Sequence, residues 1–190
     1  MKSVQDEILR GLDHSESSLH RREFEGVVFD TCALSQTRFI NCRFSDCRFV
    51  DCEMSGARFP GTTLNNVRFE RCRMTGLNLM DADPTFLDLD MSECVLDYAS
   101  FAGLHLDKTR FIDCRMRDVD LSNTALNGAV FAGSDLRDAN FNHSSLLRAD
   151  LRQALNVSFD AKLVKLGRTL IDLSTLVEVG ARLGLDAGMS

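Results

Sequence analysis

From Phe24 to Leu79, and again from Phe86 to Leu151, every fifth residue is Phe, Leu or Met. A helix repeats its apolar face every 3.6 residues and a strand every 2, so neither produces a beat of five. The chain is therefore a repeat protein whose core reuses one part many times. Its aromatic content agrees, with 13 Phe against a single Tyr and no Trp.

With the central apolar residue numbered i, position i−2 is small or apolar (Val27, Cys32, Thr37, Cys42, Ala57, Ala99, Ala129) and the other three positions are mostly polar. Two inward residues and three outward suit a chain that turns a corner after each short extended segment. Gly26, Gly56, Gly61, Gly76, Gly103, Gly128 and Gly133 all fall at i+2, as do Asn41, Asn66 and Asn123. The third residue of a type II turn needs positive φ, which Gly and Asn tolerate best. One corner per five residues closes a four-sided coil in 20.

The cysteines test that number independently. All seven occupy i−2, and Cys32, Cys52, Cys72, Cys94 and Cys114 are spaced 20, 20, 22 and 20 apart. They form one column up one side, and the 22 marks a two-residue insertion after Leu79. The fold class predicted is an all-β solenoid, a right-handed quadrilateral β-helix, the hand taken from parallel crossovers. Its regular part, 19–151, would be roughly 30 Å long at the inter-strand spacing. A frame break is expected at 80–85, an N-terminal cap over 1–18 with a helix from Ser3 to Leu12, and a C-terminal cap over 152–190. In that second cap, Thr175-Leu176-Val177-Glu178 reads as a capping box opening a helix through about Leu183.

Such a rod leaves no cavity for a substrate. The cysteine slot takes Ala, Thr, Val or Ser elsewhere, so the thiols read as small buried hydrophobes. His14, His20, His105 and His143 share no slot. Asp81, Asp83, Asp88 and Asp90 do not match a twelve-residue calcium loop with a closing Glu. The expectation is a non-enzyme without cofactor, metal or small-molecule substrate. No apolar run approaches the ~18 residues that span a bilayer, and the first residues lack a secretory signal, so a cytoplasmic protein is expected.

Charge is the remaining feature. The net charge is −6, and the segment 81–120, with 10 acidic and 4 basic residues, carries a net −6 by itself. Direct nucleic-acid binding is disfavoured by this balance. Asp30, Asp51, Glu70, Glu93 and Asp113 fall near one corner of successive coils, with Asp46, Asp88 and Asp107 on the corner before. A rigid acidic rod of this kind would attract a protein groove built for DNA. The simpler reading is a solvated face that keeps the rod soluble.

The run Phe39-Ile-Asn-Cys-Arg-Phe-Ser-Asp-Cys-Arg-Phe-Val-Asp-Cys, and the later Ala139-Asn140-Phe141 and Ala149-Asp150-Leu151, resemble the pentapeptide repeat proteins. The Cys- and Phe-rich first half, the break after Leu77-Asn78 and the apolar tail from Asp172 are similar to the topoisomerase-protecting, Qnr-type branch of that family. Qnr-type proteins often carry two loops; here there is one insertion of two residues. The resemblance implies a homodimeric DNA mimic that engages DNA gyrase or topoisomerase IV and protects it from poisons. Together with the charge pattern it nominates Asp46, Asp51, Glu70, Asp81, Asp83, Asp88, Asp90, Glu93, Asp107, Asp113, Asp118 and Asp120 as the topoisomerase-binding surface. Leu173, Leu176, Val177, Val179, Leu183 and Leu185 are the expected dimerisation residues. The alternative is a non-catalytic interaction module with another protein partner.

Overall fold

The protein, described from a computed structural model over residues 2–182, is a stack of four-sided coils closed at one end by a helix. Its strands are β1 Lys2–Gln5, β2 Ile8–Arg10, β3 Ser18–His20, β4 Arg22–Glu25, β5 Val28–Asp30 and β6 Arg38–Ile40. They continue with β7 Arg43–Ser45, β8 Arg48–Val50, β9 Thr63–Glu70, β10 Leu87–Ser92 and β11 Arg110–Ile112, and α1 spans Leu173–Arg182. The strand pairings are parallel and join residues one coil apart, as Phe44 with Leu64 and Phe49 with Phe69.

Four faces follow in chain order. Face 1 buries Phe24, Phe44 and Leu64; face 2 buries Phe29, Phe49, Phe69, Met91 and Phe111. Face 3 buries Leu34, Met54, Met74 and Leu96, and face 4 buries Phe39, Phe59, Leu79 and Phe101. Because coils stack in register, like side chains lie on like. Phe29, Phe49 and Phe69 form a column with ring centroids 4.5 and 5.0 Å apart and planes within 11°. Phe24 stacks on Phe44 at 4.8 Å and Phe39 on Phe59 at 4.9 Å. The interior is filled by its own repeat.

The corners sit where expected, yet they are not reserved for glycine. Gly56 and Gly76 have φ of 67° and 66°, and Gln36, Asp118 and Tyr98 at equivalent corners adopt 57°, 53° and 59°. The turn hydrogen bond recurs beside them, as from Ala57 N to Met54 O at 3.0 Å. The stacked ladder imposes the left-handed corner on whatever residue arrives there, despite its usual cost.

The cysteine column is present, and all seven thiols are free and buried. Each donates to the carbonyl one coil below, Cys52 Sγ to Phe29 O at 3.4 Å for example. Ser134 continues the column above Cys114 and Thr62 fills the same slot on face 1, and their hydroxyls make the same bond at 2.9 and 2.6 Å. Burial pushes the Cys32, Cys42 and Cys47 thiols up from their ordinary value. Because all seven are buried, no thiol should react with a thiol reagent in the native protein, and all seven should react once guanidinium unfolds it. A native-state titration reading any fast thiol would contradict this packing.

The structure changes three local expectations. The helix over Ser3–Leu12 is absent, because Val4 pairs with Phe24 and Leu9 with Phe29 in the parallel ladder. Val4, Leu9 and Leu19 continue the beat of five toward the start, interrupted only by His14. Pairing reaches the other way to Leu170, opposite Asp150. The C-terminal helix begins at Leu173, with Leu176 N bonded to Asp172 O at 2.9 Å, so Thr175 is not its cap. Thr175 and Val179, four apart, form the buried face of α1 instead. Finally, Phe86 is no core residue. The insertion makes a 3-10 turn at Pro84–Phe86, Leu87 pairs with Leu64, and the Phe86 side chain is 60% exposed.

Candidate functional site

The acidic side chains do not form one ladder. On face 2 the carboxylates interlock with arginines from adjacent coils. Arg71 binds Asp51 at 2.8 Å, Arg48 binds Glu70 at 2.9 Å and Arg68 binds Asp90 at 2.8 Å. Face 3 shows the same device with Arg115–Asp97 at 2.7 Å and Arg117–Asp135 at 2.6 Å. The Arg71 guanidinium holds the Asp51 carboxyl below the usual carboxylate range. Exposed pairs like these add little stability singly, but they cancel charge where the sequence pattern placed a column of it.

Of the twelve nominated carboxylates, Asp51, Glu70 and Asp90 are thus neutralised within the chain. Asp46 accepts from the Asn66 amide, and Asp107 from Asn127 N at 2.8 Å. Asp83 caps the 3-10 turn by accepting from Thr85 N at 3.0 Å, which lowers its pKa. Asp120 accepts from Ser122 N and the Asn140 amide. Asp81, Asp88, Glu93, Asp113 and Asp118 have no ion-pair partner among the described residues and are exposed. With Asp107, which is also exposed and without an ion-pair partner among the described residues, they occupy different sides: Asp88 and Asp107 on face 1, Glu93 and Asp113 on the corner after face 2, Asp118 on the next corner, and Asp81 on the corner after face 4. The free charge is a belt around the middle of the rod.

The frame break lies in that belt and carries apolar groups outward. Met80 is 53% exposed, Phe86 lies over Arg43, Ser45, Thr63 and Asn65 of face 1, and Tyr98 in the following coil is 67% exposed. These are the features that sequence reading missed, since the beat of five places Phe86 inside. The signal available was Leu87, one residue later, which offers the core an equivalent side chain.

At the other candidate surface, Leu173 and Leu176 are 73% and 52% exposed, whereas Val179 packs against the rod's own end. Val177 is half-buried, and Leu183 and Leu185 lie outside the described residues. Leu155, Leu163, Leu166 and Leu170 are also exposed near this end, enlarging the apolar surface beyond the helix. No group of three His, Cys, Asp or Glu among the described residues could hold a metal ion, and no described helix is long and apolar enough to cross a membrane.

Comparison with known families places these features. The sequence matches the model of a pentapeptide repeat region over residues 22–101 and that of pentapeptide repeats, eight copies, over 114–153. The chain is a pentapeptide-repeat protein. A search of curated protein sequences finds no match. Among solved structures, this pentapeptide-repeat rod is similar to a trypsin-treated variant of QnrB1, a plasmid-mediated fluoroquinolone resistance protein. That alignment has a TM-score of 0.67 at 19% identity and covers 96% of this chain and 97% of the other. A second trypsin-treated QnrB1 variant aligns at a TM-score of 0.58 and 20% identity, covering 96% of each chain. At this identity the likeness is one of fold.

Proposed function

We propose that this pentapeptide-repeat protein is a homodimeric DNA-mimicking modulator of type II topoisomerase, DNA gyrase or topoisomerase IV, that protects the enzyme from poisons trapping its cleaved complex. The observation carrying the reading is the mid-rod belt of unpaired carboxylates, set on a rigid scaffold whose fold is shared with a fluoroquinolone resistance protein. A basic groove shaped for duplex DNA would be drawn to that belt electrostatically. The exposed apolar end formed by Leu173, Leu176 and Leu170 supports a two-fold contact there. The ion-pair lattice on face 2 favours the second reading, an interaction module for another protein partner, because it weakens the field that DNA mimicry needs.

The decisive assay measures gyrase supercoiling and drug-stabilised cleavage with the purified protein, across several poisons. The reading expects a dose-dependent fall in cleaved DNA or in supercoiling. No change in either at high molar excess would remove it, and a pull-down yielding a different partner would support the second reading.

A further inference from the structure

Face 4 is unlike the other three. Its outward ladder runs Ser18, Arg38, Arg58, Asn78, Ser100, Asp120, Asn140, each paired in parallel with the next. Arg38 and Arg58 are neighbours in that ladder, which is unfavourable for like charges, and neither has an ion-pair partner among the described residues. The corner leading into this face carries Gln36, Gly56, Gly76, Tyr98, Asp118 and Asp138 in successive coils. Along the rod, face 4 therefore reads basic, then apolar around Met80 and Tyr98, then acidic.

That order is its own complement when reversed. A two-fold axis lying in the face, across the rod between Asn78 and Ser100, sets two copies antiparallel and keeps each column opposite itself. Arg58 then meets Asp120 and Asp118 of the second copy, and Arg38 meets Asp138. Bulk complements bulk as well: Tyr98 falls opposite Gly76, Met80 opposite Ala102, and Asp81 opposite Gly103. Both glycines have open space where a Cβ would stand, with nothing within 4 Å. Charge and shape select the same register.

We propose that face 4 is a homotypic interface, joining two copies side by side and antiparallel about the Asn78–Ser100 level. It is self-complementary, as a two-fold contact requires. It satisfies the unpaired arginines, and it covers Met80 and Tyr98, which are exposed in the single chain. A contact built on a few charge pairs and two small apolar groups belongs with the weaker specific interfaces, so association in the micromolar range is expected. The contact uses residues distinct from the apolar C-terminal end and does not rest on the topoisomerase reading.

The test is light scattering on a chain whose end contact is removed by Leu173→Glu with Leu176→Glu. At roughly 100 μM, well above a micromolar Kd, this protein should show the mass of a dimer. Adding Arg58→Asp should weaken association at least about tenfold, the charge pair being lost twice across the two-fold, and adding Asp120→Arg to that should restore it. A monomer in the end-blocked chain, or no restoration by the paired reversal, overturns the proposal. Should the end-blocked chain fail to fold, Arg58→Cys with Asp120→Cys in the otherwise native chain supplies the answer. Within one copy these positions lie three coils, about 14 Å, apart by strand spacing, and the native thiols are buried. A short bis-maleimide should then give a covalent dimer, and its absence while the two introduced thiols are being alkylated singly refutes the contact. Asp107→Cys on face 1 should give no dimer.

Discussion

Phe49→Ala should cost about 3–5 kcal/mol, the range for emptying a fully buried Phe site, and lower the urea midpoint without changing its slope. Phe49 is completely buried and stacked on both sides, by Phe29 at 4.5 Å and by Phe69 at 5.0 Å. Removing its ring breaks two stacks and leaves a void that the ladder cannot close, since the coils above and below are held by strand pairing. A cost of that size is a large part of the roughly 5–15 kcal/mol expected for a whole domain. Phe86→Ala is the matched control. Its ring is mostly in solvent, so its cost should stay within about 0.5 kcal/mol, as for ordinary surface changes. Equal costs for the two would show that the frame break is placed wrongly.

The second large effect concerns the proposed docking surface. Reversing Asp88, Glu93, Asp107 and Asp113 together to Lys changes the sign of the net charge, which is −6 in the native chain. If the belt engages a basic groove, the concentration needed to affect gyrase should rise by about 100-fold or more, since association steered by charge spans roughly 10–10³. Single reversals should do little, because the field is a sum over the belt. Neutralising the ion-paired set, Asp51→Asn with Glu70→Gln and Asp90→Asn, should shift the same concentration less than about threefold, their charge being already met by Arg71, Arg48 and Arg68. Equal losses from the two sets would mean that scaffold damage, not charge, governs the effect. None of the four belt residues chosen lies on face 4, so this result is independent of the side-by-side contact.

Much of this architecture is legible in the chain itself. The apolar beat identifies the inward positions, and the cysteine spacing converts a beat of five into a coil of 20 with one slip. What misled at the ends was the weakness of the same signal. Val4, Leu9 and Leu19 keep the beat, yet His14 interrupts it, and a short acidic start with Ser3 also satisfies the rules for a helix cap. At the slip, counting by fives lands on Phe86, whereas the chain spends its two extra residues before Leu87 and turns Phe86 outward. At Thr175 a capping pattern exists in the letters, but burial of Thr175 and Val179 against the rod sets the start of α1 two residues earlier.

The order of residues alone sets the interior, because inward and outward positions follow from the beat of five and every coil presents the same slots. It could not determine the surface. An outward side chain finds its neighbour 18 to 22 residues away, as in Arg117 with Asp135, Arg71 with Asp51 and Arg48 with Glu70, and the choice among these depends on corner geometry. Only the tertiary stack decided which carboxylates are cancelled, which remain as a belt, and which side gathers basic, apolar and acidic groups in an order that matches its own reverse.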